Sequence, residues 1–98
     1  MDDRKLAKAF KALSHPNRLR MYTEIMRQRS LQSPDLKGYA LTDFISALNV
    51  GAPTVSHHIK ELVNADLIWV ERHGKYVNCY LNDGMCHLLE KFFCQTDA

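Results

Sequence analysis

Apolar residues recur every three or four positions along much of the chain, the spacing that places side chains on one face of an α-helix. Leu6, Phe10 and Leu13 predict a first helix over residues 4–13. A second helix is predicted to begin at Pro16, because the first turn of a helix does not need the N–H group that proline lacks. Its apolar residues are predicted to point inward: Leu19, Tyr22, Ile25 and Met26.

The centre of the chain predicts a loop followed by a helix-turn-helix. Residues 29–40 show no apolar period and contain serine, proline and glycine, so we expect a loop there. Thr42 suits the N-cap of a short helix, and residues 49–51 suit the turn that follows it. The buried positions predicted in this short helix are Phe44, Ile45 and Leu48.

The next helix is predicted to have two distinct faces. Gly51 can begin it without a side-chain cap, and Pro53 falls in its first turn. The face predicted to be buried carries Val55, Ile59, Leu62 and Val63. The outward face and its flanks carry Thr54, Ser56, His57, His58, Lys60, Glu61 and Asn64. Asp66 should end the helix in a left-handed conformation, which Asp tolerates better than most residues.

Two strands and a last helix complete the pattern. Residues 67–70 and 76–80 are rich in β-branched and aromatic residues and flank a turn at 73–75. A final helix is predicted over residues 83–95. The fold class is therefore mainly α with a small β-hairpin, a single winged helix-turn-helix domain over 1–98. In such a domain a helix fits the DNA major groove and the two-stranded wing reaches the flanking backbone.

Composition narrows the class of protein. The chain has 98 residues, of which 46% are hydrophobic, enough for one small core. No apolar run approaches the roughly 20 residues of a membrane span, and no charged-then-apolar leader precedes the first helix. The chain has an odd number of cysteines, Cys79, Cys86 and Cys94, which favours a reducing cytoplasm over a disulfide framework. A net charge of +2 is too small to argue for DNA by itself.

Three blocks of sequence resemble the ArsR/SmtB family of bacterial winged-helix repressors. They are Ala12-Leu13-Ser14-His15-Pro16-Asn17-Arg18-Leu19-Arg20, Thr54-Val55-Ser56-His57-His58-Ile59-Lys60-Glu61-Leu62, and Arg72-His73-Gly74-Lys75 through Tyr80-Leu81. With the helical ends, the resemblance covers nearly the whole chain. It implies a homodimer joined by its first and last helices, in which each subunit reads half of a palindromic operator. It also implies release of DNA by an inducer, often a metal.

The chain departs from the family where metals are bound. Members that sense arsenic or cadmium tend to carry a Cys-x-Cys pair where this sequence has Ala40-Leu41-Thr42-Asp43. Members that sense zinc tend to carry Asp-x-His where this sequence has Asp83-Gly84-Met85. We therefore predict no metal site and no cofactor, and the sequence identifies no inducer.

The resemblance and the polar helix face together identify candidate DNA contacts. They are Thr54, Ser56, His57, His58 and Lys60 on the helix, and Arg72, His73 and Lys75 at the wing. Small hydroxyls, histidines and cations donate to base edges and phosphates. An alternative role accompanies each group of candidates. The alternative for the helix residues is simply to form a solvated face, for His58 it is a structural role, and for the wing cations it is to keep a charged hairpin soluble.

The terminal helices are the candidate dimer interface. Their apolar stripes carry Leu6, Phe10, Met85, Leu88, Leu89, Phe92 and Phe93. The opposite stripe of the last helix carries Asp83, His87, Glu90 and Cys94, which we expect to be solvated. Cys86 borders the apolar stripe, where a small packed hydrophobe is expected rather than a sensor.

These patterns favour a sequence-specific DNA-binding repressor whose partners are double-stranded DNA and a second copy of itself, with no membrane. Adjacent His57 and His58 point about 100° apart, so they cannot chelate as an i, i+4 pair can. No glycine-rich phosphate loop exists, and we do not expect an enzyme. The alternatives are a thiol- or metal-responsive version of the repressor and a winged-helix module for protein–protein contact.

Overall fold

Helices at both ends of the chain flank a central helix and a small antiparallel sheet. A computed structural model describes residues 2–31, 39–40, 51–73 and 76–95. In chain order the elements are α1 (Asp3–Leu13), α2 (Pro16–Leu31), β1 (Tyr39–Ala40), α3 (Ala52–Asn64), β2 (Ile68–His73), β3 (Tyr76–Leu81) and α4 (Asp83–Phe93). This arrangement confirms the predicted winged helix-turn-helix class. The short helix predicted from Thr42, with its turn, lies outside the described residues.

The predicted starts of the first two helices are confirmed, but the inward face of α2 is only half as predicted. The Asp2 carboxylate caps α1 by accepting from the N–H groups of Arg4 and Lys5 at 3.1 and 3.2 Å. In α2, Tyr22 and Ile25 are buried as predicted, and so is Met21, which was not among the predicted inward residues. Leu19 and Met26 are 49% and 38% exposed, so their predicted inward orientation was wrong. The two side chains point about 100° away from the centre of the buried face.

The predicted loop over residues 29–40 was wrong at both of its ends. The second helix continues to Leu31, helped by an exposed turn in which Glu24 accepts hydrogen bonds from Arg27 and Gln28. Tyr39 and Ala40 pair with Cys79 and Asn78 of β3. A polar helix end and a two-residue strand both lack the apolar period on which the prediction depended.

The strands form one antiparallel sheet in the order β1-β3-β2. The wing is longer than predicted, with pairing from Ile68↔Leu81 to His73↔Tyr76. Alternation places Ile68 and Cys79 in the core. On the other face Trp69 and Tyr80 stack as a cross-strand pair, with ring centroids 4.0 Å apart and planes 10° apart.

The core lies between α2, α3 and the sheet. Val55, Ile59 and Leu62 are buried as predicted, and Val63 packs against the same core. Ala9 and Ala12 of α1 and Leu67 after α3 complete it. In the described part of the chain, no helix is long and apolar enough to cross a membrane.

One side chain joins the end of α3 to the start of α4. Asp66 has φ 60°, which confirms the predicted left-handed end of the helix. Its carbonyl oxygen accepts from Nδ2 of Asn82 at 2.9 Å, while Oδ1 of Asn82 accepts from the N–H of Gly84 at 3.1 Å. The backbone N–H of Asn82 also donates to the carbonyl of Leu67. These hydrogen bonds therefore fix the position of α4 relative to the end of α3.

The left-handed backbone at Asp66 leads to a stability prediction. Asp66→Gly should have a free energy of unfolding about 1 kcal/mol higher than Asp66→Ala, because Cβ disfavours positive φ. Urea denaturation of the two variants measures the difference. Lys8, exposed within α1, is the matched control: there the Ala variant should be more stable than the Gly variant by about 1 kcal/mol. Equal stability of the two Asp66 variants would contradict the strain.

Candidate nucleic-acid interface

The start of α3 favours an anion. Gly51 is the N-cap, with φ −69° and ψ 153°, and it provides no side-chain hydrogen bond to the helix. Pro53 lies in the first turn as predicted, and that turn contains no acidic residue. The positive end of a helix dipole without a neighbouring carboxylate attracts phosphate oxygens.

The outward face of α3 presents short polar and basic side chains to solvent. Thr54, Ser56, His57 and Lys60 are all exposed, as the sequence pattern predicted. Glu61, the acid of this helix, is half-buried rather than fully outward. A helix face of this kind offers hydroxyl, imidazole and ammonium donors, and it has no large apolar side chain that would interfere with a polyanion.

His58 does not belong to this outward face. It is 3% exposed, which favours the structural role for His58 over a DNA contact. Its Nδ1 accepts from Nε of Arg18 at 3.3 Å, and its ring centroid lies 4.5 Å from that of His15. The pKa of His58 is lowered by burial first, and then by the nearby His15, Arg18 and His57.

Arg18 and His15 support α3 through His58, a structural role that the sequence did not predict. Nη1 of Arg18 also donates to the carbonyl of Ala12 at 3.4 Å, so one guanidinium touches α1, α2 and α3. His15 accepts from the N–H of Asn17 at 3.2 Å. Both residues fall in the block 12–20 that carries the family resemblance, which was the available signal.

The wing contributes fewer described side chains than the helix. Arg72 is exposed on β2, close to the end of the ribbon. The backbone of His73 pairs with that of Tyr76. The side chain of His73 and the whole of Lys75 lie outside the described part of the structure. A cation near a ribbon tip is placed to contact phosphates beside the groove that a helix reads.

Aromatic rings join the two ends of the chain. Phe10 of α1 contacts Phe92 and Phe93 of α4, with ring centroids 5.1 and 5.8 Å apart. Phe93 remains 65% exposed. Leu6 and Met85 are each 4% exposed within the single chain, so they have almost no surface left to bury in a dimer. Leu88 and Leu89 are half-buried and pack against the core.

The three cysteines occupy different environments. Cys79 is buried, which raises the pKa of its thiol to about 11 and keeps it protonated at neutral pH. Cys86 packs against the core as predicted, and its Sγ lies 3.3 Å from the hydroxyl of Tyr22. Burial and then this contact raise the pKa of Tyr22. Cys94 is exposed at the end of α4. Among the described residues, no three His, Cys, Asp or Glu side chains are grouped to hold a metal.

Sequence comparison finds no matching protein-family model and no matching curated protein. Solved structures match over nearly the full length. An ArsR family transcriptional regulator superposes with a TM-score of 0.77 at 16% identity, covering 97% of this chain and 89% of that one. The transcriptional repressor BigR from Xylella fastidiosa gives 0.66 at 19% identity, with the same two coverages. HlyU from Vibrio cholerae gives 0.67 at 18%, covering 96% and 99%. The chain therefore has the winged helix-turn-helix fold of ArsR-family transcriptional regulators.

Proposed function

We propose that the chain is a DNA-binding transcriptional repressor of the ArsR type, acting as a homodimer on a palindromic operator in the cytoplasm. The observation that carries this proposal is the exposed face of α3, where Thr54, Ser56, His57 and Lys60 stand together on a recognition helix. The fold it shares with transcriptional regulators supports the docking of that face in the major groove.

Each part of the interface has a separate role in this proposal. Ser56 and His57 read base edges, because hydroxyl and imidazole groups can donate to and accept from bases. Lys60 and Arg72 neutralise phosphates, which adds affinity without sequence preference. The positive end of α3, which Gly51 does not cap with a side chain, points a further set of donors at the DNA backbone.

The aromatic cluster of Phe10, Phe92 and Phe93 supports a dimer through the terminal helices. Phe93 presents most of its ring to solvent beside two partly buried rings. A second copy related by a two-fold axis would cover it with the same cluster. Two recognition helices would then face two half-sites of one operator.

A winged-helix module for protein–protein contact is the alternative from another class. The outward face of α3 argues against it, since its exposed members are polar or basic and a protein groove favours apolar anchors. A thiol-responsive repressor stays an alternative within the class, because Cys94 is exposed to oxidants.

Base-reading and phosphate-binding variants should behave differently. Ser56→Ala or His57→Ala should weaken the free energy of binding to the preferred duplex, selected from random DNA, by about 1–3 kcal/mol. Either variant should also reduce the difference in affinity between that duplex and random DNA. Arg72→Ala should weaken all duplexes alike and reduce the salt slope by about one. Fluorescence anisotropy on specific and random DNA measures both. Lys91→Ala, on the exposed surface of α4, is the control and should change neither. Identical behaviour of the two classes would refute the division of roles.

Sedimentation at micromolar concentration should show a dimer of the 11.3 kDa chain. Phe93→Glu should shift it toward monomer, because a charge would be buried in the proposed interface. Leu19→Glu is the matched control: Leu19 is also apolar and exposed, at 49% against 65% for Phe93, but it lies on α2. A wild type that sediments only as monomer would refute the dimer, and dissociation by both variants would refute its location.

DNA release should not depend on the metal sites of the family. The Cys-x-Cys place holds Ala40, Leu41 and Thr42, and soft ions require thiolates. Zinc, cadmium or arsenite titrated into the reduced protein should change DNA affinity by less than about tenfold. Stoichiometric binding of any of them with a larger loss of affinity would establish a metal-responsive repressor instead.

A further inference from the structure

His58 sits in the middle of the recognition helix but faces into the protein. Its ring is enclosed by the α1–α2 turn, through His15, and by α2, through Arg18. His57, its neighbour on α3, is exposed and has its ring centroid 6.1 Å away. Of these two adjacent histidines, His57 therefore faces solvent and His58 faces the core.

The contact with Arg18 determines which form of His58 the structure can hold. A guanidinium Nε–H can only donate, so Nδ1 of His58 must accept with its lone pair. The proton of the neutral ring therefore lies on Nε2. That atom is buried, and within the described residues it has no hydrogen-bond partner. A protonated imidazole would direct a second N–H at the Arg18 donor, and the contact at 3.3 Å would be lost.

We propose that the contact between Arg18 and the neutral imidazole of His58 positions the recognition helix, and that protonation of His58 releases it and weakens DNA binding. This inference rests on the proposed function. Arg18 is well placed for the role, because its second hydrogen bond, to the carbonyl of Ala12, ties the same guanidinium to α1. Loss of the contact would remove the polar link that joins the middle of α3 to α2 and, through Arg18, to α1.

The sign of the pH effect follows from the surroundings of His58. Burial of the ring is the largest cause, because it disfavours the charged form. A positive charge on the ring is opposed further by His15 of the α1–α2 turn, Arg18 of α2 and His57 of α3. The pKa of His58 is therefore lowered from 6.5. The folded state therefore takes up the proton less readily than the unfolded chain. The stabilisation is fully present above about pH 6.5 and is lost as the pH falls through the lower value of the folded protein.

His57 should have the opposite effect on DNA binding. Its side chain is exposed on the outward face, where protonation adds a positive charge toward the phosphates. Acidification of the wild type combines the two effects. A variant that changes only His58 is needed to separate them.

His58→Asn is that variant, because the side-chain oxygen of Asn falls near the position of Nδ1, accepts from Arg18 and does not titrate. Affinity for one selected duplex is measured by fluorescence anisotropy from about pH 8 to about pH 5. As the pH falls across this range, the DNA affinity of the wild type divided by that of His58→Asn should decrease about threefold or more. The reason is that each proton excluded from the DNA-bound state lowers the affinity by up to about tenfold per pH unit. His87→Asn, the same change at an exposed histidine of α4, is the control and should follow the wild type.

The ring of His58 can also be followed directly in the wild-type protein. Nitrogen-15 NMR should show a neutral ring protonated on Nε2 near pH 8, and the ring should gain a proton only below its ordinary value of 6.5. A neutral ring protonated on Nδ1, or titration above that value, would overturn the proposal even if His58→Asn failed to fold.

Failure of the proposed function and failure of the role of His58 would give different results. If the wild type bound no duplex at any pH, the proposed function would fall and the inference with it. If it bound DNA but had the same pH profile as His58→Asn, the DNA-binding function would stand and only the role of His58 would be refuted.

Discussion

Burial of one face of α3 fixes where its other face points. Val55 and Leu62 have no exposed surface, and they pack against residues of α2 and the sheet. Protein interiors are close-packed, so the helix cannot turn freely about its axis. A rotation by one residue, about 100°, would expose Val55 and carry Ser56 toward the core. The orientation of the proposed DNA-reading face is therefore a consequence of apolar packing on the side away from DNA.

Polar contacts refine this orientation at two places. Near the middle of α3, Arg18 reaches His58 across the core edge. At its end, Asn82 binds the carbonyl of Asp66 and caps α4. The second contact ties the proposed reading helix to the helix of the proposed dimer interface. The spacing of two recognition helices in a dimer would then be set by a short, rigid path rather than by a flexible linker.

The sequence predicted those features that depend on local chemistry or on a clear period. The starts at Pro16 and Gly51, the buried face of α3 and the left-handed Asp66 all follow from the residues nearby. What it missed depends on partners far along the chain. The burial of His58 comes from its contact with Arg18, 40 residues earlier.

The same distinction explains the remaining errors. Tyr39 and Ala40 become a strand only because β3 offers its edge to them. In α2, Met21 is buried while Leu19 and Met26 are exposed, although all three are apolar. Hydrophobicity alone does not say which side of a helix the core will occupy, since α2 carries apolar residues around more than half of its circumference. Of the candidate DNA contacts on α3, Thr54, Ser56, His57 and Lys60 are exposed as the pattern predicted, whereas His58 is buried.

The stacked pair on the wing has a practical consequence. Trp69 is the one tryptophan of the chain, and its ring lies against Tyr80 of the opposite strand. Because it is about half exposed, its emission responds to the solvent around the ribbon. Excitation at the red edge of the absorption band selects indole over phenol, so the intrinsic fluorescence of the protein is a local signal from the wing. Separation of the two strands would be visible optically without any attached dye.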